Sequence, residues 1–247
     1  MARGEQPKPP AKGATSDVVA SSGEAIDAFL SEARAVAGLS PDACAGRLVF
    51  ALDATMSRQP TWDLACSVQA EMFEAAGAVG GLAVQLVYFR GYDECRASSW
   101  VTDARALTGL MDRIACRGGH TQIGRVLRHV RKEAGRSGVR ALVYVGDAME
   151  EPLDDLCAVA GELGLLGVKA FVFHEGQDPV AGEAFRQIAQ LTGGAYARFD
   201  ARAPQSLAAL LRAAAAYASG GLDALRRIAD HEAGEARKLL AAMSQAR

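Results

Sequence analysis

Between Arg47 and Asp200 the chain alternates short, nearly continuous apolar runs with longer stretches of helical spacing, and this alternation restricts the fold more than any other feature. The runs are "RLVFALD", "LAVQLVYFR", a weaker "CRASSWV", "VRALVYVGD", "VKAFVFHE" and "GGAYARFD", and the helical stretches are 60–79, 103–115, 122–135, 152–166 and 181–192. Strands apolar on both faces and interleaved with helices predict an α/β fold, a Rossmann-like three-layer αβα sandwich on a mainly parallel sheet. Only "GYDE" separates the second run from the third, too few residues for a crossover helix, so that pair is expected to form an antiparallel hairpin at one edge.

The flanks read differently. Residues 1–22 are rich in Pro, Gly, Ser, Ala and Lys without periodicity, the composition of a disordered tail. Residues 23–46 are expected to hold a leading helix and its connection: Ser21 and Glu24 have capping-box spacing, Ile26, Phe29, Leu30 and Ala33 recur on one face, and Gly38 and Pro41 end it. The α/β domain should occupy 47–218, and 219–247 should form a C-terminal helical extension. Segments 206–218 and 222–243, parted by "SGG", are expected as two helices, and docking on the domain is the simplest use of the apolar stripe formed by Leu222, Leu225, Ile228, Leu239, Leu240 and Met243.

A formal net charge of −2 in 247 residues supplies no basic field, so no nucleic-acid partner is expected. The Ala-rich run 207–218, interrupted by Arg212, is too short to span a membrane, and no membrane partner is expected. Five cysteines stand singly, without a C-x-x-C pair or clustered histidines, which argues against zinc and against a disulfide framework. Most are expected to be small core residues in a reducing, cytoplasmic setting.

In an open parallel sheet, ligands bind beyond the carboxyl ends of the strands, where the strand order reverses. Oxygen-bearing residues fall there. Asp53 ends the first run, with Thr55 and Ser57 at alternate positions after it. Asp147 ends "VRALVYVGD", and Thr121 in "RGGHTQIG" stands at the start of a helix. Two acids and three hydroxyls, without Cys or paired His, are hard ligands suited to Mg²⁺ or Mn²⁺. Taken singly, Asp53 and Asp147 read equally as strand ends and caps, and Thr121 as an ordinary N-cap. Glu150 and Glu151 read as helix-start acids or as the rim of a partner site, His120 as a loop residue, and Trp62 and Trp100 as packing residues.

Together these residues match a family. Residues 47–218 resemble a von Willebrand factor type A (VWA) domain: Asp53-Ala-Thr55-Met-Ser57 has the D-x-[ST]-x-S form of its metal-ion-dependent adhesion site (MIDAS). "GGHTQIG" resembles the second element, Asp147 the third, and "FRQIAQLTGGAYARF" the family's late helix and edge strand. The resemblance implies that Ser57, Thr55 and Thr121 bind a divalent cation directly or through water, with Asp53 and Asp147 close behind. A partner protein's Asp or Glu then completes the coordination. It also implies a binding module and not an enzyme, and domains that look like this serve as adaptors for AAA-type ATPases or in assembly systems. The chain departs from the pattern at Met56, where Gly is common, at Arg58, where Met is common, and at Ala148, where Gly is frequent. Met56 restricts the loop, and Arg58 brings a positive charge to the site.

Two other functions remain open at this stage. A strand-end Asp with Mg²⁺ also serves phosphoaspartyl hydrolases, but these need a second acid two residues on, and position 55 is Thr. Neither G-x-G-x-x-G after the first strand nor a P-loop motif occurs. The other alternative is a metal-free scaffold.

Overall fold

The structure is a computed structural model that describes residues 1, 44, 46–77, 79–200, 204–231 and 234–245. Its secondary structure lies within the unit Leu39–Arg247. The leading helix expected within 23–46 falls outside the described residues.

Six strands, β1 (Gly46–Asp53), β2 (Leu82–Arg90), β3 (Glu94–Val101), β4 (Ala141–Gly146), β5 (Lys169–Glu175) and β6 (Ala195–Phe199), form one sheet in the order β3-β2-β1-β4-β5-β6. All neighbours are parallel except β2 and β3, which pair antiparallel at the edge as the short "GYDE" connection requires. From β1 the chain moves outward to β2 and β3, then returns to lay β4 on the other side of β1. The order therefore reverses between β1 and β4, and a crevice opens at their carboxyl ends.

The alternation of side chains along each strand divides the core in two. Leu48, Phe50 and Leu52 of β1 join Val143, Val145, Phe171 and Phe173 on one face, beneath α1 (Gln59–Val68), α2 (Ala70–Gly77) and α3 (Ala104–Met111). Val49 and Ala51 join Leu142, Tyr144, Ala170 and Val172 on the other, beneath α4 (Ile123–Ser137), α5 (Leu153–Leu165) and α6 (Pro179–Thr192). The α/β sandwich with a mainly parallel sheet is thus as expected.

Three local expectations need correction. The stretch 60–79 is two helices, broken at Gln69. That side chain, 3% exposed, donates to the Ala104 carbonyl at 3.1 Å and the Thr108 hydroxyl at 2.6 Å, so a buried polar group is satisfied by turning toward α3. The stretch 222–243 is also interrupted: α7 (Pro204–His231) breaks at Gly221, whose φ of 66° and ψ of −157° suit glycine alone, and α8 (Glu235–Gln245) begins anew after Gly234. Finally, of the five unpaired cysteines only Cys116 is buried; the other four are half-buried, because they sit at strand edges and helix flanks and not under the sheet.

The C-terminal helices complete the first core face. Leu207, Leu211 and Leu225 of α7 and Ala236, Leu239 and Met243 of α8 are buried in the same cluster as Phe171 and Phe173. Among the described residues no helix is long and apolar enough to cross a membrane.

Candidate metal site

Asp53 is the last residue of β1 and 4% exposed. Its Oδ1 accepts the Thr55 backbone N–H at 2.7 Å, an Asx turn that folds the chain back over the strand end. Burial pushes its carboxyl from the ordinary 3.8 up to about 6; the bonds from Thr55 and the charge of Arg58 pull the other way, while the charge of Asp147 adds to the rise. Thr55 is buried, and Ser57 lies in the one-turn helix Met56–Arg58 that follows.

Asp147 comes directly after β4, which pairs with β1 through Leu52 and Val145, so the two acids leave adjacent strand ends. Thr121 reaches the same place from a long loop. That loop is tied down by bonds from Arg117 N–H to the Ala54 carbonyl at 3.0 Å and from His120 N–H to the Gly91 carbonyl at 3.2 Å. The Thr121 hydroxyl accepts the Glu150 N–H at 3.0 Å, three residues beyond Asp147. Asp53, Thr55, Thr121 and Asp147 therefore meet at one crevice.

The loop's approach depends on Gly119. A Cβ there would lie 2.1 Å from the Gly91 carbonyl oxygen, whereas one at Gly118 would meet open space. Gly119→Ala should cost about 1–3 kcal/mol by forcing the Thr121 loop off the β2–β3 turn. Gly118→Ala should stay within about 0.5 kcal/mol. Urea denaturation of both variants checks this; equal stabilities would show that the loop yields freely.

Thr121 is not the N-cap of α4. That position belongs to Gln122, whose side chain makes no capping bond. The Glu151 carboxylate instead accepts the N–H groups of Ile123 and, at 2.9 Å, Gly124, and Glu150 Oε2 accepts the Thr121 N–H at 3.0 Å. Both acids thus serve a helix start, but that of α4 and not of their own α5. Burial raises the Glu151 carboxyl despite these bonds, while the Thr121 N–H and His120 hold Glu150 low. His120 is an exposed loop residue packed edge-on to Tyr92 at 5.1 Å. Trp62 is a core residue and Trp100 lies at the sheet edge under Arg47.

Sequence reasoning missed Glu175, although an acid ending β5 beside β4 is the signal that marks it. The Arg58 guanidinium, its side chain only 4% exposed, sits between Asp147 and Glu175: Nη1 is 3.4 Å from Asp147 Oδ2, and Nη2 contacts Glu175 Oε2. The Thr61 hydroxyl donates to the same Glu175 oxygen. Among the described residues the Arg58 Nε has no hydrogen-bond partner, nor has the buried Tyr144 hydroxyl, which lies in the field of Asp53, Glu151, Arg58 and Asp147.

The donor set suits a hard divalent cation. Asp53 keeps Oδ2 beyond its turn, and the Asp147 side chain is 31% exposed. The Thr121 hydroxyl, bonded to Glu150 N–H and Glu151, retains one lone pair. No group of three or more His, Cys, Asp or Glu residues suited to a metal occurs among the described residues, so any ion must rely on hydroxyls as well as carboxylates.

Among solved structures, proximal thread matrix protein 1 from the mussel byssus superposes with a TM-score of 0.55 at 14% identity, over 72% of this chain and 48% of that one. The SpRpn10 VWA domain superposes with a TM-score of 0.52 at 13% identity, over 67% and 93%. The fold is that of a VWA domain. The chain spans about half the length of the byssus protein, which has also been solved with zinc in its MIDAS motif and matches there with a TM-score of 0.53 at 18% identity, over 69% and 48%. Human Sec24c, a COPII-coat protein, matches the VWA fold with a TM-score of 0.53 at 14% identity, over 71% of this chain and 32% of that one. No family model and no curated protein matches the sequence.

Proposed function

We propose that this VWA-fold chain is an intracellular protein-interaction module, and that Asp53, Thr55, Ser57, Thr121 and Asp147 hold Mg²⁺ or Mn²⁺ for a partner's Asp or Glu. The observation that carries the reading is the meeting of Asp53, Thr121 and Asp147, drawn from three distant segments, at the switch point of the sheet. The bound cation would supply a coordination position for the incoming carboxylate. The protein's part is to fix the donors: Thr55 orients Asp53, and Glu150 orients the Thr121 hydroxyl.

A binding role is favoured over catalysis because position 55 carries a hydroxyl where a phosphoaspartyl enzyme needs a second acid. Five unpaired cysteines support the intracellular setting, in which an adaptor role within an ATPase or other assembly fits such a module.

After stripping with EDTA, the melting temperature should rise on adding MgCl₂ or MnCl₂, since an ion bound by the native state alone stabilises it. An ion at one hundred times its Kd adds about 2.7 kcal/mol. Ser57→Ala should abolish most of that rise. A wild-type protein indifferent to both ions rules the reading out.

A further inference from the structure

We propose that Arg58 is a displaceable internal cation, whose guanidinium neutralises the crevice when no metal is bound and competes with a divalent ion for Asp147. This rests on the metal-binding reading above. Three carboxylates, Asp53, Asp147 and Glu175, gather at the ends of β1, β4 and β5, and Arg58 is the cation placed among them. A buried carboxylate cluster without a countercharge is costly, so in the absence of metal the guanidinium offsets it.

The way Arg58 is held suggests that it can leave. A permanent buried arginine is fully bonded, usually through a bidentate fork. Here Nε has no hydrogen-bond partner among the described residues, Nη1 stands 3.4 Å from Asp147, and only the Glu175 contact is close. Glu175 belongs to β5, outside the proposed ligand set, and Thr61 holds the same Glu175 oxygen. Glu175 therefore anchors the arginine while Asp147 is the ligand in dispute. Asp147 is also the more solvent-open of the two, with a side chain 31% exposed against 21%.

Removing the positive charge should strengthen metal binding at its expense in metal-free stability. We expect Mn²⁺ titrated calorimetrically into EDTA-stripped protein to bind Arg58→Gln at least tenfold more tightly than wild type, while Arg58→Lys, which keeps the charge, stays near wild type. In EDTA, Arg58→Gln should melt below wild type. Equal Mn²⁺ affinities in all three proteins overturn the competition while leaving the metal site standing. If none binds Mn²⁺, the proposed function falls and the competition with it. A second measurement needs no variant: the ¹⁵N-edited signal of the wild-type Arg58 Nε–H should shift as Mg²⁺ is added. A signal unmoved at saturating Mg²⁺ overturns the inference.

Discussion

In metal-free buffer at neutral pH, Asp53→Asn is expected to stabilise the fold, by up to about 3 kcal/mol, and to abolish its response to Mg²⁺ and Mn²⁺. Burial lifts this carboxyl to about 6 from the ordinary 3.8. A group whose folded value is raised adds most to stability below its unfolded value, and that contribution is lost as pH rises through the folded value. Ionised Asp53 is therefore a burden above about pH 6, and asparagine removes it while keeping an oxygen to accept the Thr55 N–H. The gain should shrink below pH 6 and vanish below about 3.8, where the wild-type acid is protonated in both states. Urea titrations of both proteins at several pH values, with EDTA, measure this. A destabilised Asp53→Asn at neutral pH would mean that the negative charge is needed by the bare fold, with Arg58 as the group it serves. Residues kept for binding at the expense of stability are a common signature of functional sites.

Leu239→Ala should destabilise the protein by about 2–5 kcal/mol, although it lies far along the chain from the sheet. Leu239 is 0% exposed on α8, packed in the cluster that includes Phe171, Phe173 and Leu225. Truncation leaves a cavity among side chains fixed by the sheet on one side and by α7 on the other, where collapse is restricted. The neighbouring Lys238→Ala removes only an exposed ion pair with Glu235, 2.9 Å long, and should change stability by about 0.5 kcal/mol or less. Equal midpoints in chemical denaturation would show that α8 contributes nothing to the cooperative unit.

The candidate site was partly legible. Asp53, Thr55, Ser57 and Asp147 could be singled out because each lies within a few residues of a strand whose apolar run is visible. Thr121 followed from the glycines before a helix. Arg58 could be flagged as a positive charge near the site, but not as the bridge between Asp147 and Glu175, since nothing local links a residue after β1 to one at the end of β5. Glu150 and Glu151 carried the right chemistry and the wrong helix: acids beside a helix start were legible, but the helix they cap lies earlier in the chain.

The sequence alone determined the order of strands and helices, the antiparallel edge and the acids at the strand ends, because periodicity, connection length and turn chemistry are written within a few residues. Only the tertiary structure decided that α2 breaks from α1 at Gln69, that Glu151 caps α4, and that Arg58 lies buried among carboxylates. Those outcomes depend on which distant groups the packing of the sheet brings within hydrogen-bonding reach, where a buried polar group must find its partner whatever its place in the chain.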